Sequence, residues 1–304
     1  MITLIALAAA STLATAPVCD AVWHDAARNR DVPVRISLPG GTARVPLVVW
    51  SPGLGGDVGS GGVWARAWTA AGLAVVQMQH KGSDGAVYRG APTPEDRRAR
   101  IIAATAPDQL FARVGDARFV LSEITRRPRQ GGCDLRRIDP TRTAIAGHSM
   151  GAWVAQGIAG QRFNGEPVLR DLRFRAALAL SPTAAPGTDD FARVTIPFLS
   201  ITGTRDGIAA NATPEQAAAA LALRSAAWRS MPADGSKCLL VLGGAEHMML
   251  AGNRPAAGAV AQHTETVARA ASTAFLVAAL TGASSDLPGR LRGDLRDDDT
   301  LTCK

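Results

Sequence analysis

The residues most able to do chemistry are a serine between glycines, Gly147-His148-Ser149-Met150-Gly151. A short apolar run, 143–146, enters this pentapeptide and a helix-compatible run, 152–160, leaves it. A strand–turn–helix passage this tight strains the serine backbone, and small residues two before and two after it avoid a clash between strand and helix. The hydroxyl is then presented above the sheet. At neutral pH a serine hydroxyl is a poor nucleophile until an imidazole accepts its proton, and a buried carboxylate must orient that imidazole and stabilise its cation. Both partner types lie downstream. Asp206 ends the apolar run and turn Phe198-Leu-Ser-Ile-Thr-Gly-Thr-Arg-Asp206, and His247 ends Cys238-Leu-Leu-Val-Leu-Gly-Gly-Ala-Glu-His247.

Taken singly, these residues have plainer explanations. Asp206 could cap the next turn, and His247 could be a satisfied loop histidine. Glu246 beside His247 invites a metal reading, but neither His-Glu-x-x-His nor Cys-x-x-Cys spacing occurs, so no metal is expected. Together they follow the order Ser…Asp…His, each just past the C-terminal end of a strand, which is the α/β-hydrolase arrangement. Open parallel sheets gather functional side chains beyond their carboxyl ends, so residues far apart in sequence can meet there. The other histidines are His24, His80, His148 and His263. His148 sits within the elbow, where its side chain should point away from the serine hydroxyl. His80 follows a strand and is the serious rival base, or else a cleft residue.

The elbow needs an oxyanion hole. The apolar strand 46–51 runs into Pro52-Gly53-Leu54-Gly55-Gly56, whose glycines permit close backbone approach. Leu54 N–H and Met150 N–H are the expected donors, and losing one such donor costs about 3–4 kcal/mol of transition-state stabilisation. No dinucleotide or phosphate-loop fingerprint is present, and no cofactor is implied.

The elements that must position these groups alternate. Strands are expected near 32–38, 47–51, 73–79, 143–146, 176–180, 197–202 and 239–242, and helices near 63–71, 107–125, 152–161, 214–228 and 261–280. That alternation predicts an α/β protein: a mostly parallel, twisted sheet of about eight strands with helices on both faces. The loop 181–193 is too modest for a cap domain, which predicts an open cleft. The long connection 81–106 should wall that cleft. Tyr88, the sole tyrosine, and Trp153, one turn into the elbow helix, are candidate substrate contacts; core packing is the alternative for each.

With these motifs in place, the chain resembles the dienelactone-hydrolase-like and platelet-activating-factor-acetylhydrolase-like group of α/β-hydrolases, whose relatives include bacterial polyester-degrading esterases. The resemblance spans most of residues 20–280, through the segment 25–35, Ser51-Pro-Gly-Leu-Gly-Gly56, Gln79-His-Lys-Gly-Ser-Asp84, Ala146-Gly-His-Ser-Met-Gly151, Ile201-Thr-Gly-Thr-Arg-Asp206 and Gly244-Ala-Glu-His-Met248. It implies nucleophile Ser149, acid Asp206, base His247 and oxyanion donors Leu54 and Met150. Two departures matter. Many relatives have Ser-His-Gly where this chain has Ser51-Pro52-Gly53, and dienelactone hydrolases proper use a cysteine nucleophile where this chain has Ser149.

Composition fits a single globular enzyme. The chain has 304 residues, 47% of them hydrophobic, enough for one large α/β domain over 19–282. Net charge is +7, carried by arginine, since lysine occurs only at Lys81, Lys237 and Lys304. The basic pairs are short, scattered and free of interleaved aromatics, so nucleic acid is not an expected partner. Residues 1–16 are almost wholly apolar or small and end in Ala14-Thr-Ala16, a pattern expected of a cleaved export signal, too short to span a membrane. Export to a secreted or periplasmic location suits four cysteines without metal spacing. Among their three pairings, Cys19–Cys133 with Cys238–Cys303 is favoured, and four free thiols is the alternative. Residues 283–304 read as a polar, loosely held tail. The expectation is a monomeric carboxylic-ester hydrolase acting on a small or polymeric ester. The alternatives are a serine peptidase or acyltransferase, or a non-enzymatic binding protein of the same fold.

Overall fold

A computed structural model describes residues 17–163, 165–183, 191–283 and 286–304. The expected export signal, 1–16, lies outside the described residues. Strands β1 (Val18–Asp25), β2 (Arg30–Ser37) and β3 (Val45–Ser51) are followed by α1 (Gly62–Ala70) and β4 (Ala74–Met78). Helices α2 (Pro94–Ala104) and α3 (Pro107–Arg126) come next, then a small hairpin, β5 (Arg129–Gln130) with β6 (Cys133–Asp134). The second half runs β7 (Ile138–His148), α4 (Met150–Ala159), β8 (Phe174–Leu180), β9 (Phe198–Arg205), α5 (Pro214–Ser230), β10 (Lys237–Glu246), α6 (Ala259–Thr281), α7 (Leu287–Leu291) and β11 (Thr300–Cys303).

Nine strands form one sheet in the order β1-β2-β4-β3-β7-β8-β9-β10-β11. From β4 through β10 neighbouring strands are parallel, while β1, β2 and β11 add antiparallel pairings at the edges. A strand covered on both faces must be apolar at successive positions. In β3, Leu47 and Val49 point to the core beneath α3 and α4, while Val48 and Trp50 point to the core beneath α1 and α6. Helix starts follow local chemistry. Thr213 and Gln216 form a reciprocal cap on α5 with Pro214 in its first turn, and Thr93 caps α2 ahead of Pro94.

The nine strands of the sheet agree with the about eight expected, and one expectation, for the C-terminal residues, is corrected. Strand β1 alternates exposed Val18 and Val22 with buried Cys19 and Trp23, so a half-polar edge carries little hydrophobic signal. Of the expected loose tail 283–304, the described residues 286–304 are packed on the domain: Leu287 and Leu291 of α7 are buried, and β11 pairs with β10 from Cys238↔Cys303 to Val241↔Thr300. Four residues, Thr-Leu-Thr-Cys, cannot announce a strand, and a neighbouring edge with a disulfide makes them one. The connection 81–106 contains a 3-10 turn, Gly85–Val87, and the mostly exposed helix α2. The favoured cysteine pairing is present, Cys19–Cys133 and Cys238–Cys303. Among the described residues no helix is long and apolar enough to cross a membrane.

Candidate active site

The elbow is the junction of β7 and α4. Ser149 has φ 57° and ψ −116°, a left-handed conformation that costs a residue with a Cβ about 1–3 kcal/mol and persists where surroundings over-determine it. Those surroundings are tight. A Cβ on Gly147 would strike the Gly151 backbone, and one on Gly151 would strike the Ser51 carbonyl of the neighbouring strand. Both flanking glycines are therefore required by close backbone approach.

Asp206 stands just past β9 and His247 just past β10, two adjacent parallel strands. His247 Nε2 is 3.0 Å from Ser149 Oγ, and His247 Nδ1 is 2.8 Å from Asp206 Oδ1. Asp206 is fully buried at its side chain, whereas that of His247 is 29% exposed, so the line runs from a dry acid to an accessible imidazole. Thr202 Oγ1 donates to Asp206 Oδ2 at 2.8 Å, and Arg224 of α5 places Nη2 at 3.1 Å from Oδ1. Burial alone would raise the Asp206 carboxyl, but the hydrogen bond from His247 and the charge of Arg224, with Thr202, hold it below its ordinary value. An ionised Asp206 places the imidazole proton on Nδ1 and leaves Nε2 to accept from the serine hydroxyl.

His148 does not merely point away from the serine. Its Nε2 is 2.9 Å from the His247 carbonyl, and the two rings lie 4.7 Å apart. Burial, then the neighbouring charge of His247, pulls His148 down to about 3, so it is neutral and its Nε2–H donates. The loop bearing His247 is thus tied to the residue preceding the nucleophile.

The donors expected of an oxyanion hole flank Ser149. Met150 is the first residue of α4, so its N–H has no intrahelical acceptor. Leu54 N–H has no acceptor among the described residues, although the next amide, Gly55, donates to the Ser83 carbonyl at 2.8 Å. Leu54 and Ser149 line a cleft of about 640 Å³ that also meets Trp50, Tyr88, Met248 and Asn253. Tyr88 is 43% exposed, its ring lying over Gly55 at the cleft wall.

Two site expectations are corrected. His80 is 1% exposed, with Nε2 at 2.9 Å from Ser51 Oγ and Nδ1 at 2.9 Å from Asp116 Oδ2, so it meets neither Ser149 nor the cleft. Burial, then the charge of Arg113, pulls it down to about 4 despite Asp116. Trp153 packs half-buried against the core, with Nε1 2.5 Å from Thr183 Oγ1, and does not line the cleft. Three residues escaped notice in the sequence: Arg224, Arg113 and Asp116. The spacing of Arg113 and Asp116 places both on one face of α3, and Arg224 follows the alanine-rich run 217–222; neither pattern names its partner.

No family model matches the chain. No curated protein matches it either. Among solved structures it is similar to a ferulic acid esterase from Streptomyces cinnamoneus, with a TM-score of 0.61 and 20% identity, over 92% of this chain and 94% of that one. The chain has the α/β-hydrolase fold. At that identity the likeness speaks for the architecture and no further. Within the α/β-hydrolase fold, the ends of β7, β9 and β10 are where the three polar residues meet.

Proposed function

We propose that this chain is a carboxylic-ester hydrolase working through an acyl-enzyme. The observation that carries the reading is the unbroken line Ser149–His247–Asp206, at 3.0 and 2.8 Å, opening on a cleft beside two unpaired backbone N–H groups. Ser149 Oγ attacks the ester carbonyl while His247 Nε2 takes its proton. The carbonyl oxygen, now an alkoxide, is held by Leu54 and Met150 N–H. Collapse expels the alcohol, which takes the proton from His247. Water then attacks the acyl-serine with His247 again as base, releasing the acid and restoring Ser149. Asp206 stays ionised and stabilises the imidazolium. Neither a metal nor an organic cofactor enters this scheme.

The motif resemblance favours the dienelactone-hydrolase-like and acetylhydrolase-like group, and the fold neighbour named a ferulic acid esterase agrees with ester substrates. A cleft walled by Tyr88 and open to solvent suits a bulky or polymeric ester. The two disulfides and the apolar residues 1–16 support export. A chain-length series of p-nitrophenyl esters, peptide anilides and an insoluble polyester film tests the reading. Ester turnover that disappears in a folded Ser149→Ala variant is expected. Preference for anilides, or wild-type turnover in that variant, would overturn it.

A further inference from the structure

Behind the oxyanion turn lies a second serine–histidine–carboxylate line that the cleft never reaches. Ser51 Oγ, His80 and Asp116 are joined at 2.9 and 2.9 Å, and all three residues are at most 1% exposed. No substrate can approach Ser51, so this line performs no chemistry of its own. Its hydrogens can be assigned from the charges around it. Asp116 accepts from Arg30 Nε at 2.7 Å and faces Arg28 Nη1 at 2.9 Å, so it is ionised. His80 Nδ1–H then donates to Asp116, and His80 Nε2 accepts the Ser51 hydroxyl proton. The Ser51 oxygen in turn accepts from Arg113 Nη2 at 3.3 Å.

Arg113 is fully buried and is the hub. Its Nη2 also donates to the Pro52 carbonyl, and its Nη1 donates to Ser83 Oγ at 2.8 Å. The Ser83 carbonyl, for its part, accepts Gly55 N–H at 2.8 Å. The turn is therefore held on both sides of Leu54, at the Pro52 carbonyl before it and at the Gly55 amide after it. The unpaired Leu54 N–H lies between these two fixed points. Resting on the esterase reading above, we propose that Arg113, Ser51, His80 and Asp116 are positioning residues that aim the Leu54 N–H at the oxyanion. A donor that is already aimed costs no reorganisation when charge develops, and that is the source of an oxyanion hole's effect. The planar guanidinium suits the task because it reaches Pro52, Ser51 and Ser83 at once, which an ammonium would not do with fixed geometry.

The test compares wild type with Ser51→Ala and Arg113→Lys on a matched pair of chromogenic substrates, an oxoester and its thionoester. Backbone N–H groups stabilise a developing oxygen anion better than a sulfur anion, so the rate ratio between the pair reports the hole itself. In both variants kcat on the oxoester should fall about 10–100-fold with KM nearly unchanged. The thionoester should lose much less, so that the ratio collapses, and the pH profile should keep its shape because Ser149, His247 and Asp206 are untouched. Ser51→Ala removes only one hydroxyl, and it decides the matter if Arg113→Lys does not fold. A ratio equal to wild type in a folded variant would overturn the proposal while leaving the esterase reading intact. A wild-type protein that cleaves neither substrate would sink the esterase reading, and the proposal with it.

Discussion

Asp206 Oδ1 is shared by two donors, His247 Nδ1 at 2.8 Å and Arg224 Nη2 at 3.1 Å. The carboxylate that orients the imidazole is thus itself anchored by a guanidinium whose side chain is only 13% exposed. Arg224 also donates to the Ser181 carbonyl at 3.0 Å, so it joins the ends of β8 and β9.

Arg224→Gln should therefore destabilise the fold by about 2 kcal/mol at pH 7, the range for a hydrogen bond to a charged group. Asp206 titrates below its ordinary 3.8, so this stabilisation is present above that value and is lost as the pH falls through the folded-state value. The gap between wild type and variant should narrow below about pH 4. Urea titrations across pH check this, and a gap that is constant with pH would contradict it.

Two buried histidines set a second pH dependence. His80 and His148 are pulled down from 6.5 to about 4 and about 3, so between those values the unfolded chain binds protons that the native one refuses. Stability is then full above pH 6.5 and declines on acidification, each histidine contributing a slope of up to about 1.4 kcal/mol per pH unit. In His80→Gln the slope between pH 6.5 and 4 should be shallower by that amount. Denaturation midpoints with identical slopes would show that His80 titrates normally in the native state.

The two bases should rank clearly in activity. His247→Ala should lower kcat by about 10⁴-fold or more, since it removes the proton acceptor. His80→Ala should lower it by about 10–100-fold, as a disturbance of the oxyanion turn. Steady-state kinetics on one chromogenic ester give the ranking, and a reversed order would contradict His247 as the base.

Gly151→Ala should be poorly tolerated, because its methyl group meets the Ser51 carbonyl and both sides of the contact are backbone. A loss of about 3 kcal/mol or more, or failure to fold, is expected. Gly293→Ala, with open space around its Cβ, should stay within about 0.5 kcal/mol of wild type. Thermal melts of the pair make the comparison.

Replacing Cys238 and Cys303 together by serine should cost about 4 kcal/mol, the chain-entropy figure for a loop of this length. The separation is 65 residues, and the bridge fixes edge strand β11 on β10, the strand that delivers His247. Guanidinium unfolding with and without reductant measures it. Reductant should lower wild-type stability more than that of the double variant, which retains only Cys19–Cys133.

Much of the site was legible in the chain because its signals are local. The elbow needs glycines at fixed offsets from Ser149, and Asp206 and His247 each follow an apolar strand by a few residues. The edges were less legible. Strand β1 mixes apolar Val18 and Val22 with polar Asp20 and His24 on its exposed face, and β11 is four residues long, so each becomes a strand only by pairing with β2 or β10. His80 shows the limit most plainly: it follows a strand as a catalytic residue would, yet its side chain turns inward to Asp116, 36 residues away.

Sequence alone determined the alternation of strands and helices, the tight turn at Ser149 and the order of the groups that meet there, since apolar periodicity and glycine spacing act over a few residues. Tertiary structure alone decided which cations serve which carboxylates. Arg224 is set against Asp206 and Arg113 against Pro52 by helix packing on the sheet, and an arginine's partner depends on where its guanidinium ends up in space, which no local pattern encodes.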